Sequence, residues 1–414
     1  MADRILVVQD NRDLADLIAQ KIGDLIECEV DIAFNLLETK LFTKKYKYFA
    51  AVIDVKLSDA SNGEIVPFMQ EKDIASIIFS THMTKEQKEH LFQKKVIDFI
   101  KYESEEDINY VISMIQRIQK NRSHKVLVVD DSLIFRRQMQ SILEALLFQV
   151  YSVAHGEEAL GMLQAHPDIK IVITDFNMPV MDGLTLTREI RTTHSKNELS
   201  IIAISGSNDQ EQTATFLRSG ANDYLVKPFS KEEFTCRLNN TIEALENIEM
   251  ITHNATRDFL TGAYNRRHFF TVAPAYFENA KANDEMLGVA MIDIDHFKNI
   301  NDTYGHQVGD RVIVALSQVL TTSVDVKDFV ARFSGEGFCI LYRDLNKDLM
   351  IRRCESIRNK VQSLLIETES GSFSFTISIG LALSMDDTLN ETINTADLYL
   401  NNAKNNGRNQ VVYG

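Results

Sequence analysis

The chain has 414 residues, 44% hydrophobic and 25% charged, with a formal net charge of −15, a profile that fits a globular protein of two to four domains. No run approaches the ~18 apolar residues of a membrane span, the start MADRILVVQDN lacks the layout of a signal peptide, and the acidic balance speaks against a DNA-binding output, which needs a basic face. The cytoplasm is the expected compartment, and Cys28, Cys236, Cys339 and Cys354, which show no paired spacing, read as free thiols rather than disulfides or a zinc site.

The first half of the chain contains a duplication. Arg4-Ile-Leu-Val-Val-Gln-Asp10 is echoed by Lys125-Val-Leu-Val-Val-Asp-Asp131, and Val52-Ile-Asp54 by Ile173-Thr-Asp175 at the same offset. Each copy alternates short Val/Ile-rich runs with segments of helical period, the pattern of βα units around a parallel sheet. Acids at the carboxyl ends of neighbouring strands then converge in one crevice, where such sheets bind ligands. Asp175 has little bland competition, because a charge ending an apolar strand beside Asp130 and Asp131 is costly unless it is paired or bound to metal.

Both copies resemble the receiver domains of two-component response regulators, and the second does so closely from Lys125 to about Leu245. The resemblance implies Mg²⁺ on Asp130, Asp131 and Asp175, with Asp175 the phosphoacceptor. It makes Ser205 and Lys227 contacts of the phosphoryl oxygens, and Tyr224 the aromatic that swings inward as Ser205 moves. The donor would be a sensor histidine kinase or a phosphotransfer protein. The first copy keeps Asp10, Asp54 and Thr81, which makes Asp54 the second choice of phosphoacceptor. Its Gln9 replaces a metal-binding acid and is a poorer ligand, and Lys101 comes one residue early, followed by Tyr102 rather than proline. This copy reads mainly as a dimerisation or adaptor receiver.

From Lys231 to Thr256 there is no Gly or Pro, and Leu238, Ile242, Leu245 and Ile248 recur at helical spacing, which predicts one continuous helix ending near Asp258. The short link from Asn121 to His124 predicts closely joined receivers.

Further on, the apolar run Leu287–Ile292 has strand length and delivers Asp293 and Asp295 to its end, where a carboxylate flanked by backbone carbonyls can hold a hard divalent cation. Alone, such a D-x-D pair reads as two ordinary strand-end acids. Phe297 to Asn301 predicts a helix start whose free N–H groups and Lys298 suit a triphosphate, and Asn301 and Asp310 bring groups able to read a purine edge and its sugar. Alternating apolar residues on either side of Ser334-Gly335 predict a β-hairpin with Glu336 at its tip. Alone, Lys404 and Arg408 read as solvated charges on a terminal helix, and His306 as a packing or hydrogen-bonding residue in its turn.

These residues resemble the GGDEF domain of diguanylate cyclases, which join two GTP molecules into cyclic di-GMP. The likeness runs from about Thr252 to the C-terminus through DFLTGAYNRR, the 291–310 block, the hairpin, SFTISIGLA and NAKNNGRN. It implies Mg²⁺ held by Asp293, the carbonyl of Ile294 and Glu336, with Asp293 and Glu336 the catalytic pair. It further implies guanine and ribose on Asn301 and Asp310, and phosphates on Phe297, Lys298, Lys404 and Arg408. The signature departs from the family in two places. Ser334 stands for the first glycine, and Gly337 deletes a carboxylate used for metal coordination. Upstream, the Arg-x-x-Asp pair of the product-inhibition site reads Asp325-Val-Lys-Asp328, so the arginine that would fork onto a phosphate is an acid.

The expected architecture is thus α/β: two tandem flavodoxin-like receivers (1–121 and 122–250, with a helical linker to about 256), then an α+β nucleotide-cyclase-like GGDEF domain (257–414), the layout of PleD-type receiver–receiver–GGDEF regulators. The expected function is a phosphorylation-controlled cyclase, homodimeric through its receivers, with turnover weakened by Gly337. The alternative is an output domain without catalysis that acts as a GTP-binding or protein-interaction module.

Overall fold

The computed structural model describes residues 3–81, 96–206, 210–283, 285–343, 345–368, 371–383 and 388–414. The chain divides into two compact units, Met1–Glu246 and Asn247–Gly414.

The first unit holds two five-stranded parallel sheets. One is built from β1 (Arg4–Val8), β2 (Glu29–Ala33), β3 (Ala50–Ile53), β4 (Ala75–Ser80) and β5 (Val96–Lys101), in the order 2-1-3-4-5. The helices α1 (Arg12–Leu25), α2 (Leu36–Lys45), α3 (Ile65–Glu71) and α4 (Glu105–Asn121) accompany it. The second repeats the order with β6 (Lys125–Val129), β7 (Gln149–Val153), β8 (Ile169–Asp175), β9 (Ser200–Ser205) and β10 (Asp223–Val226), accompanied by α5 (Leu133–Ala145), α6 (Gly156–Ala165), α7 (Gly183–Thr193), α8 (Gln210–Ser219) and α9 (Lys231–Thr256). The strands are near-continuous apolar runs because both faces are covered. Several helix starts follow from local side chains: Asn11, Ser132 and Asp182 cap α1, α5 and α7, and Ser104 with Asp107 forms a capping box on α4.

One face of each sheet drains into a shared core. Ile5 and Val7 lie there with Leu14, Ile18 and Ile22 of α1 and Ile108, Val111, Ile112 and Ile115 of α4. From the second sheet come Val126 and Val128, Met139 and Leu143 of α5, and Phe234, Leu238, Ile242 and Leu245 of α9. Burying each such side chain contributes about 1.5–3 kcal/mol, so the two sheets are packed as one body. Polar contacts pin the seam: Lys231 Nζ donates to the carbonyls of Val96 (2.8 Å) and Ile97 (3.2 Å), and Glu246 faces Arg117, His124 (3.1 Å) and Lys120 (3.7 Å). The helix over Lys231–Thr256 is continuous, as its spacing predicts.

The second unit is built on a six-stranded mixed sheet. It comprises β11 (Tyr264–Asn265), β12 (Leu287–Ile294), β13 (Phe329–Arg332), β14 (Gly337–Arg343), β17 (Ile377–Ala382) and β18 (Val411–Tyr413), in the order 11-13-14-12-17-18. A separate hairpin pairs β15 (Ile366–Thr368) with β16 (Gly371–Phe373). Central β12 alternates by the strand period of two: Ala290, Ile292 and Ile294 enter one core, and Leu287, Val289 and Met291 the other. The helices are α10 (Arg266–Asn283), α11 (Phe297–Tyr304), α12 (His306–Ser323), α13 (Lys347–Gln362) and α14 (Leu389–Asn405). No helix among the described residues is long and apolar enough to cross a membrane.

Candidate functional site

In the second sheet Asp175 ends β8 and Asp130 follows β6, and both are buried. Lys227 bridges them, its Nζ 2.9 Å from Asp130 Oδ2 and 2.6 Å from Asp175 Oδ1, with the ammonium 3.7 Å over the Phe135 ring. Burial pushes the Asp175 carboxyl above its ordinary value, Lys227 pulls it back, and Asp130 adds to the push. For Lys227 burial works downward, but its two carboxylate partners win and the ammonium is held above its usual range. Backbone N–H groups of Ser132 and Asn177 donate to Asp130 (2.8 Å) and Asp175 (2.9 Å). Ser205 is buried at the end of β9, and its carbonyl accepts from Lys227 N at 2.7 Å. Tyr224 is turned inward, 6.2 Å from Phe216. Asp131, expected to join the metal set, is exposed. Gly183, which the sequence reading passed over, matters because a Cβ there would collide with the Asp175 carbonyl; the signal was the turn Met181-Asp182-Gly183 that caps α7.

The first sheet departs from its twin. Asp54 is buried and its carboxyl is raised, chiefly by burial and further by Asp10. Asp10, Asp54, Ser80 and Thr81 line a cavity of about 430 Å³. Two expectations need correction. Thr81 is exposed, and the hydroxyl that donates to Asp54 Oδ1, at 2.7 Å, is that of Ser80. Tyr102 N donates to Ser80 O as Lys227 N does to Ser205 O, so Ser80 is the counterpart of Ser205, and Tyr102 stands where the lysine stands. Lys101 points to solvent and pairs with Glu103, because strand alternation turns the residue before Tyr102 outward. Gln9 is buried and spends its amide on the Phe79 carbonyl at 3.4 Å.

In the second unit β12 separates the two acids of D-x-D. Asp293 meets Lys404, Nζ to Oδ1 2.9 Å. Its carboxyl is pushed up by burial, pulled down by Lys404, and pushed up again by Glu336 and Asp295. Asp295 lies beyond the strand end and is a structural clamp. It accepts from Ser378 Oγ (2.6 Å), Thr376 Oγ1 (2.7 Å) and Asn409 N (3.0 Å). That last bond holds a turn in which Arg408 and Asn409 both take left-handed φ values, 61° and 45°, a conformation costly outside glycine. Arg408 itself is exposed.

The start of α11 is open. His296 precedes it with φ 57° and makes no side-chain cap, and the N–H groups of Phe297 and Lys298 have no partner among the described residues. Asn301, on the next turn, keeps a buried Oδ1 without a hydrogen-bond partner. It lies against Gly309, where any Cβ would strike that oxygen. Lys298 and Asp310 are exposed near this helix pair.

The hairpin joins β13 to β14 through residues 333–336, closed by Phe333 N to Gly337 O at 2.8 Å. The register sets Gly337 directly opposite Asp293. Arg332, missed in the sequence, fixes the turn: Nε and Nη2 reach Gly335 O (3.1 and 2.6 Å), and Nη1 reaches Asp258 Oδ1 (2.8 Å). Asp258 in turn receives Thr261 Oγ1 at 2.8 Å. Burial works to raise the Asp258 carboxyl, but these donors hold it below its ordinary value. Asp325 and Asp328, at the expected product-inhibition position, both engage Arg353, with 2.8 Å to Asp328.

No three His, Cys, Asp or Glu side chains among the described residues converge tightly enough to hold a metal by themselves. Acids do act on one another in pairs, Asp130 raising the Asp175 carboxyl and Glu336 that of Asp293. One or two carboxylates completed by carbonyls, water and phosphate oxygens suit Mg²⁺, so the donor chemistry fits that ion.

The family description "Diguanylate cyclase, GGDEF domain" matches residues 255–410, and "Response regulator receiver domain" matches residues 126–239. A solved two-component system response regulator/GGDEF domain protein is 33% identical, with a TM-score of 0.55; the match covers 59% of this chain and 99% of that one. The chain belongs to the response regulator/GGDEF family. Among curated relatives in that family, the response regulator PleD of Caulobacter vibrioides is 28% identical over 70% of this chain and 65% of its own length. Diguanylate cyclase DgcM of Escherichia coli is 36% identical over 45% of each chain. The chain therefore spans less than two thirds of these GGDEF proteins.

Proposed function

We propose that this response regulator is switched by phosphorylation of Asp175 and that its GGDEF domain binds GTP with Mg²⁺ and condenses two GTP molecules to cyclic di-GMP slowly. The supporting observation is the retained nucleotide-facing set: open N–H groups at Phe297 and Lys298, an orphan acceptor on Asn301, and Lys404 on half-buried Asp293. The open helix start and Lys298 take the phosphates, Asn301 and Asp310 take guanine and ribose, and Lys404 and Arg408 add positive charge. Asp293, the Ile294 carbonyl and Glu336 hold the ion, which supplies charge neutralisation at the reacting phosphate. Lys404 balances Asp293 until then and is released toward phosphate.

Gly337 is the reason turnover is slow. It sits opposite Asp293 and brings no ligand. Removing one such electrostatic group costs about 10²–10³ in rate, or roughly 3–4 kcal/mol. Since each 3′-hydroxyl must attack the partner's α-phosphate and displace its pyrophosphate, two output domains must face each other, and we place the two-fold contact on the receivers. The first receiver serves as adaptor, because Lys101 turns away from Asp54. Gly337 also supports a second reading, a GTP-binding module without chemistry. Chromatography of nucleotides after the phosphorylated protein is incubated with GTP and Mg²⁺ separates them. Slow cyclic di-GMP that disappears in Asp175→Asn supports the first; unchanged GTP that co-purifies with the protein supports the second.

A further inference from the structure

The two departures in the hairpin signature lie on one spot. Opposed residues of an antiparallel pair project from the same face with Cβ atoms about 4.5–5.5 Å apart, so a side chain at position 337 would share the face of Asp293. A Cβ built on Gly337 would come inside 3.0 Å of Ser334 Oγ, and nothing else lies that close. The serine hydroxyl therefore already occupies the volume where the missing acid would begin. Its placement is held by the turn: Ser334 N donates to Gly337 O at 3.2 Å, and Arg332 grips the Gly335 carbonyl.

Building on the GTP reading above, we propose that Ser334 and Gly337 form one coupled exchange, in which the Ser334 hydroxyl fills the place of the lost carboxylate and donates a hydrogen bond to the triphosphate of GTP. The change of chemistry suits binding rather than turnover. A carboxylate beside phosphates repels them unless an ion intervenes, whereas a neutral O–H attracts phosphate oxygens directly. Gly337 is then required by Ser334, since any Cβ at 337 drives Oγ off the Asp293 face.

Equilibrium titration of the full chain with GTP·Mg²⁺, and separately with guanosine, tests this. Hydrogen bonds to charged groups imply that Ser334→Ala weakens GTP about tenfold or more, while guanosine affinity, which needs no phosphate contact, stays within twofold. Gly337→Ala, which adds only the methyl that displaces Oγ, is expected to reproduce that loss. The double variant Ser334→Ala/Gly337→Ala should be no weaker than either single one, the non-additivity of two changes that delete one interaction. If the unmodified protein binds GTP and Ser334→Ala binds it equally well, the Ser334 role is wrong while the GTP reading stands. If Ser334→Ala and Gly337→Ala weaken GTP by independent, multiplying factors, the coupling is wrong. Failure of the unmodified protein to bind GTP removes the reading on which both rest. Matched melting temperatures across the set show that exposed Ser334 and buried Gly337 both tolerate the changes.

Discussion

Lys227→Met offers a test of the phosphoacceptor crevice that does not depend on any phosphodonor. Lys227 is the shared counter-charge of two carboxylates whose side chains are 2% and 11% exposed. Removing it leaves both buried acids without their counter-charge, held by the backbone N–H groups of Ser132 and Asn177. Breaking a buried pair in this way costs about 3–5 kcal/mol. For a unit of this size each kcal/mol moves the melting temperature by about 2–4 °C, so a loss near the lower bound is read as roughly 6–12 °C. Mg²⁺ should then act unequally. In the unmodified protein the ion must compete with the ammonium, whereas in the variant it takes over an uncompensated pair. An ion present at a hundred times its dissociation constant adds about 2.7 kcal/mol, enough to return most of the lost stability. Differential scanning calorimetry of both proteins with Mg²⁺ and with a chelator reads this directly. A shift below about 1 °C on substitution, or an equal Mg²⁺ response in both proteins, would refute the assignment of Lys227 as the counter-charge.

Three further outcomes follow from the same geometry. A small phosphodonor should add one acid-labile phosphate that Asp175→Asn removes and Asp54→Asn does not; the reverse pattern would transfer the switch to the first receiver. Asp293→Asn should raise stability at neutral pH: the folded pKa of Asp293 lies above 3.8, so the folded state loses stability as pH climbs from there through the folded value, and asparagine removes that loss. The advantage, read from melting temperature against pH, should vanish below the unfolded value, and a constant offset at all pH would contradict it. Asp295→Ala deletes three donors' acceptor and should cost about 3 kcal/mol or more in chemical denaturation, with Arg408 losing its fixed turn; a stability change under about 1 kcal/mol would show that the clamp is unimportant.

The parallel order of both receiver sheets, the continuous helix over Lys231–Thr256 and the hairpin before Phe338 were legible because each rests on local periodicity or on repeated spacing. Other features needed the third dimension. Ser80 and Thr81 are adjacent hydroxyls, and only strand register decides which faces Asp54, since a one-residue slip reverses every side chain. Lys101 had the right chemistry one position too early, and alternation sent it to Glu103. Asp295 looked like the twin of Asp293, but its partners Thr376, Ser378 and Asn409 are far away in sequence. Arg332 carried no signal at all, because its value lies in joining Asp258 to a carbonyl three residues ahead.

Turnover at this site is limited by one position, Gly337, which lies opposite Asp293 with no ligand to offer. The most direct test is the initial rate of cyclic di-GMP formation, at saturating GTP·Mg²⁺ and equal dimer occupancy, by the phosphorylated protein and by its Ser334→Gly/Gly337→Glu variant, which restores the acid and clears the hydroxyl from its path. The double variant should be faster by about 10²–10³, with GTP affinity changed far less. Equal rates in the two proteins would contradict the claim that Gly337 limits this site.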